Sequence, residues 1–164
     1  MSKKIGKKIG KKPDNNIIKN KKAFFDYEIL ETFEAGVELS GAEVKSVKAK
    51  EVSLEGAFVK IEDNMQAFIH NMSITPYENA HIKEVDPTKT RKLLLHKKEI
   101  KKLLGLQKLK NQTIIPLGLY LKKGWIKMSI GLVKGKKQHD KRDSIKKKDL
   151  SRDMDRQFKG KIKL

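Results

Sequence analysis

The chain contains no cysteine, which excludes disulfides and thiolate chemistry. Long apolar runs are missing too. The longest, Ile114 to Leu121, covers eight residues and already includes Pro116 and Gly118, whereas a membrane-spanning helix needs roughly 20. The basic N-terminus has no apolar stretch behind it, so no secretory signal is expected. The acceptor-like triplets Asn71-Met72-Ser73 and Asn111-Gln112-Thr113 are then coincidences. These absences suit a cytoplasmic protein without membrane attachment. His70, His81, His96 and His139 show no metal-ligand spacing, and Glu62-Asp63 has no histidine or hydroxyl beside it in a nucleophilic pattern. No metal, cofactor or enzymatic activity is expected.

What the chain has in excess is positive charge, a net +19 over 164 residues, unevenly spread. Residues 1–22 hold nine lysines against one aspartate, and residues 134–164 hold thirteen Lys or Arg against five aspartates. Residues 23–133 carry only +3. A nearly neutral body with two basic ends is the charge pattern of a protein drawn to a polyanion, here nucleic acid. The expected organisation is a disordered Lys-rich extension over 1–22, a nucleic-acid-binding body over 23–133, and a basic tail over 134–164 that is disordered when free.

The first extension repeats Lys-Lys-Ile-Gly and lacks the spacing and the hydroxyl of a phosphate loop. In the body, Phe24 to Phe33 alternates loosely, Glu34-Ala35-Gly36 reads as a turn, and Val37 to Leu39 as a short strand. Ser40 and Glu43 match a capping box, which predicts a short helix. Strands over 56–62 and 66–72 flank a turn at Asp63-Asn64-Met65. His96 and Glu99 open a second helix whose stop is Gly105. Two long strands, 113–121 and 125–133, surround Lys122-Lys123-Gly124. On the second, Ile126, Met128, Ile130 and Leu132 alternate with Trp125, Lys127, Ser129, Gly131 and Val133, so one row faces inward. The expected fold is mainly β: a small closed OB-like barrel with about two short helices and two disordered basic extensions.

Four blocks in order, NKKAFFDYEILETFEAGVELSGAEVKS from Asn20, ITPYEN from Ile74, RKLLLHKKEI from Arg91 and GKKQHDKR from Gly135, resemble the SsrA-binding protein (small protein B) family. The resemblance implies a cytosolic bacterial partner of transfer-messenger RNA, the RNA that rescues stalled ribosomes and tags incomplete proteins. It implies an OB-type barrel that grips the tRNA-like domain as a monomer in a 1:1 complex. It also implies a tail that enters the empty messenger channel of the small ribosomal subunit. Ile145, Leu150, Met154 and Phe158 recur at steps of five, four and four and offer one apolar edge, so the tail is expected to become partly helical there. RNA contacts carry over to Glu34, Leu94, His96 and Lys127, although members often have Asn or Ser where this chain has His96. The ribosome-facing motif falls on Gly135, Lys136, Lys137, His139, Asp140, Lys141 and Arg142.

Residue chemistry alone leaves alternatives at each position. Lys127 fits a phosphate contact or a solvated lysine, and Leu94 fits the core better than a ligand. His96 reads equally as a helix cap. Glu34 would repel phosphate, but it can accept from a base amine or a 2′-hydroxyl. Lys21 and Lys22, at the entry to the first strand, add backbone attraction. Trp125, Tyr27, Tyr77 and Tyr120 can stack on bases or pack in the core. A ribosomal structural protein or an RNA-processing enzyme would share the charge pattern. The first would stay on salt-washed subunits, and the second would turn over RNA.

Overall fold

The structure is a computed structural model that describes residues 16–78, 86–108 and 112–137, with helical backbone at 149–150 and 153–154. In chain order its elements are β1 (Asn16–Lys19), α1 (Lys21–Asp26), β2 (Tyr27–Val37), α2 (Gly41–Lys48), β3 (Val52–Ser53) and β4 (Phe58–Ile61). There follow β5 (Ala67–His70), β6 (Ser73–Ile74), β7 (Arg91–Leu94), α3 (Lys97–Gln107), β8 (Gln112–Lys122) and β9 (Trp125–Gly135). Strands β8, β4, β5, β7, β2 and β9 pair antiparallel in a ring that returns to β8, and β1 lies on β8 beyond β4. Strands β3 and β6 form a separate pair. The mainly β, OB-like expectation holds.

The period-two pattern of β9 explains the core. Ile126, Met128, Ile130 and Leu132 are buried against Leu119, Ala35, Ile69 and Leu93, and α3 adds Ile100 and Leu103. Each fully buried aliphatic side chain of this kind stabilises the fold by about 1.5–3 kcal/mol. Val133, on the opposite face, is buried as well, in a second cluster with Ala23, Ile115 and Leu117. Helix α1 therefore covers one end of the outer face of β8 and β9. The turn between these strands is Lys123-Gly124, with φ of 50° and 83°. Two consecutive positive φ values match the right-handed twist of the paired strands.

Polar side chains fasten the connections. Asn20 caps α1 by accepting from the Ala23 N–H at 3.1 Å, while its amide donates to the Leu54 and Pro116 carbonyls at 3.1 and 2.9 Å. The Ser40 hydroxyl accepts from the Glu43 N–H at 3.4 Å, and the Glu43 carboxylate accepts from the Ser40 N–H at 2.8 Å, which completes the capping box. The same carboxylate receives Arg91 Nε at 2.8 Å and Lys89 Nζ at 3.1 Å. Arg91, 3% exposed, also donates to the Met72, Lys89 and Pro87 carbonyls at 2.7, 2.9 and 3.0 Å. Burial pushes the Glu43 carboxyl up, but the Ser40 N–H, the Arg91 guanidinium and Lys89 more than offset it and hold the group below its ordinary value.

Several expectations need correction. The strand over 24–33 is instead α1 followed by β2, because Asn20 supplies a cap that alternation alone does not reveal. Glu34-Ala35-Gly36 is not a turn: β2 continues through it, paired to β9 from Tyr27 to Gly36 with a bulge at Leu30. Helix α3 runs past Gly105, a solvent-facing position, to Gln107. Among the described residues of 16–137 there are three helices where about two were expected. Of the first extension, taken as 1–22, Asn16–Lys19 forms β1 and Lys21 and Lys22 open α1, while residues 1–15 lie outside the described residues. Strand β1 lies so close to β8 that a Cβ on Gly118 would come within 2.8 Å of the Ile18 carbonyl oxygen. Strand β9 likewise continues past residue 133 to Gly135.

Candidate nucleic-acid interface

Strand register gathers the candidate contacts. Leu94 of β7 pairs with Gly36 of β2, Gly36 with Lys127 of β9, and Lys127 with Tyr120 of β8. Paired residues share a face, so four strands present one row on the outside of the ring. Lys127 is half-buried there while its neighbours Ile126 and Met128 point into the core. Leu94 is 55% exposed, so it is a surface residue and not the core leucine its pattern favours. His96 lies two residues further on, exposed. It sits at the N-cap of α3, where its N–H donates to the Glu99 carboxylate at 3.1 Å and its carbonyl accepts from the Glu99 N–H at 2.9 Å.

Glu34, opposite Ser129 and two residues before Gly36, lies on the same face. Its carboxylate accepts from the Tyr120 hydroxyl at 2.6 Å and from Lys122 Nζ at 2.7 and 2.8 Å. Lys122 and then Tyr120 hold the carboxyl below its ordinary value, and the charge of Lys127 adds a smaller pull. Burial, and next the bond to Glu34, drive the Tyr120 hydroxyl well above its ordinary value. Tyr120 is therefore a fixed donor, 7% exposed and not a stacking platform. With Glu34 ionised, Glu34, Lys122 and Lys127 leave a net charge of about +1 on this face. Three of roughly four acceptor directions on Glu34 are occupied, which leaves one for a ligand hydroxyl or amine.

Lys21 and Lys22 do not join this group. They lie on α1, not at a strand entry, and Lys22 Nζ contacts the Glu55 carboxylate at 2.6 Å. Helix α1 packs over Val133, six residues along β9 from Lys127, which is about 20 Å at strand rise. Of the tail motif, Gly135 ends β9, and Lys136 is tied back to α1. Its N–H donates to the Asp26 carbonyl at 3.0 Å and its Nζ to the Phe24 carbonyl at 3.1 Å. Lys137 is exposed. His139, Asp140, Lys141 and Arg142 lie outside the described residues.

Lys122 escaped sequence reasoning: it was part of a turn, and nothing in its spacing links it to Glu34, which lies 88 residues away. Trp125, open in the sequence between base stacking and the core, is 74% exposed. Its place in the outward row of β9, beside the turn, was the available signal.

Residues 17–160 match the family model described as SmpB protein. Curated relatives include an SsrA-binding protein of Elusimicrobium minutum, 58% identical over 144 residues that span 88% of this chain and 91% of that protein. Another, from Bacillus subtilis, is 50% identical over 85% of this chain and 89% of that protein. A solved structure described as "tmRNA-SmpB: a journey to the center of the bacterial ribosome" is 42% identical, with a TM-score of 0.63 over 78% of this chain and 93% of that one.

Proposed function

Because this chain belongs to the SmpB protein family, we propose that it is a non-catalytic, cytoplasmic RNA-binding factor that carries transfer-messenger RNA to stalled ribosomes. The observation that carries this reading is the shared face: Glu34, Leu94 and Lys127, scattered over 94 residues of sequence, lie on one side of the ring, and the exposed His96 follows two residues after Leu94. That face grips the tRNA-like domain in a 1:1 complex. Lys127 meets phosphate, and the remaining acceptor direction of Glu34 takes a 2′-hydroxyl or a base amine. Leu94 offers apolar contact to a sugar or base edge, and His96 adds a ring at the margin. A body with only +3 recognises shape through a few contacts, while Lys21 and Lys22 contribute attraction to more distant phosphates.

The tail supplies the second half of the function. Lys136 stitched to α1 fixes where the tail leaves the body. From Gly135, Lys136 and Lys137 through His139, Asp140, Lys141 and Arg142, a basic segment enters the empty messenger channel and orders as ribosomal RNA neutralises its lysines. Truncation after Lys137, which keeps the stitch, tests the division of labour. The shortened protein is expected to bind the tRNA-like RNA with nearly unchanged affinity and to fail in tagging stalled nascent chains. Full tagging by the shortened protein would refute the role of the tail.

A further inference from the structure

The tip of the β8–β9 hairpin carries a combination that the RNA-contacting row does not explain. Trp125 exposes 74% of its surface from a strand position fixed by a two-residue turn. It pairs across the strands with Lys122, whose ammonium Glu34 holds at 2.7 Å. Lys123, also exposed, forms the turn itself. The indole stands two residues beyond Lys127 on the same face of β9, about 7 Å further along the strand. A large aromatic exposed in this way contributes little to folding, and it loses little entropy on binding because the turn and strand already orient it.

Building on the RNA-binding reading above, we infer that Trp125 and Lys122 form a clamp for one unpaired nucleotide. The base stacks on the indole, and the adjoining phosphate is held by Lys122, with Lys123 beside it. Glu34 is the positioning residue, because it holds the Lys122 ammonium at 2.7 Å and keeps that long side chain from sampling other rotamers. RNA fits this tip better than a protein partner, because the tip is basic: Lys122 pairs with Trp125, Lys123 forms the turn and Lys127 stands two residues along β9. An unpaired nucleotide fits better than a duplex, because a base inside a stacked helix has no free face to offer.

Trp125 is the only tryptophan in the chain, so its emission reports on this position alone. The full-length protein is titrated with the tRNA-like domain of transfer-messenger RNA and, separately, with a fully paired RNA duplex of equal length, while complex formation is followed by gel mobility. The emission is expected to fall in step with formation of the tRNA-like complex and to stay unchanged with the duplex. Trp125→Ala should weaken that complex by about 5- to 150-fold at unchanged thermal midpoint, and Trp125→Phe should restore most of the loss. Lys122→Gln should lower the log-log salt slope by about 0.7 to 0.9. A complex that forms without any change in emission, equal quenching by the duplex, or a Trp125→Ala affinity within twofold of the parent would overturn the clamp alone. Failure of the parent protein to bind the tRNA-like RNA would overturn the clamp and the RNA-binding reading together.

Discussion

Gly36 and Leu94 face each other across β2 and β7 so closely that a Cβ on Gly36 would lie 3.2 Å from the Cβ of Leu94. The bare backbone at Gly36 lets the exposed leucine lean over β2 toward Lys127, which is how an apolar side chain joins a polar row. Gly36→Val should push Leu94 out of this position. The expected cost is about 1–3 kcal/mol of stability from overpacking, together with weaker RNA binding. Urea denaturation and RNA titration on the same sample separate the two effects.

Lys127 and Ile130 test which face of β9 does what. Lys127→Ala should weaken RNA binding and change stability by no more than about 0.5 kcal/mol, since the side chain reaches solvent. Ile130, fully buried, should do the reverse, with Ile130→Ala costing about 2–5 kcal/mol. Thermal melts paired with RNA titrations give the answer. An unfolded Lys127→Ala variant would show that the strand faces are assigned the wrong way round.

Glu34 titrates below the ordinary value of 4.5 because Lys122, first, and Tyr120 donate to it. Lys122→Met should therefore raise its pKa, and Tyr120→Phe should raise it by a smaller amount. Carboxyl-carbon chemical shifts followed by NMR between pH 2 and pH 7 measure both, in an interval chosen to bracket roughly the ordinary carboxylate range. A Glu34 value that neither substitution moves would mean the carboxylate is held by other groups.

Glu43 and Arg91 make acid sensitivity a property of the core. The folded Glu43 pKa lies below its ordinary value, so the ion pair contributes stability in full above the unfolded value. That contribution is lost as pH falls through the lower, folded value. Glu43→Gln should flatten this acid limb of the stability curve in urea titrations below about pH 4.5. Arg91→Met, which leaves the buried carboxylate only Lys89 and the Ser40 N–H, is expected to cost up to about 3–5 kcal/mol at neutral pH.

Strands with strict alternation were legible in the sequence, because burial on one face writes itself at period two. The β4–β5 and β8–β9 hairpins and the Ser40–Glu43 cap all follow from local signals. Helix α1 was not legible, since its cap depends on Asn20 reaching the Leu54 and Pro116 carbonyls, contacts 34 and 96 residues away. The continuity of β2 through Gly36 was hidden for a similar reason. A glycine preceded by Glu-Ala looks like a turn until the leucine that fills its missing Cβ is known. For the interface, the family resemblance supplied Glu34, Leu94, His96 and Lys127, and the register puts Glu34, Leu94 and Lys127 on one face, with His96 two residues beyond Leu94. Lys122 needed three dimensions, because it is defined by a partner on another strand, and so did the choice between the two uses that the sequence left open for Trp125.

The central claim is that one face of the ring recognises a particular RNA shape. The most direct test is a competition in which the full-length protein, holding labelled tRNA-like domain of transfer-messenger RNA, is challenged at moderate salt with unlabelled tRNA-like domain or with unrelated RNA of the same length. Selective displacement by the tRNA-like RNA at 1:1 stoichiometry, weakened when Lys127 is replaced by alanine, is the expected result. Equal displacement by both RNAs would contradict it, and would reduce the protein to a basic surface that holds RNA by charge alone.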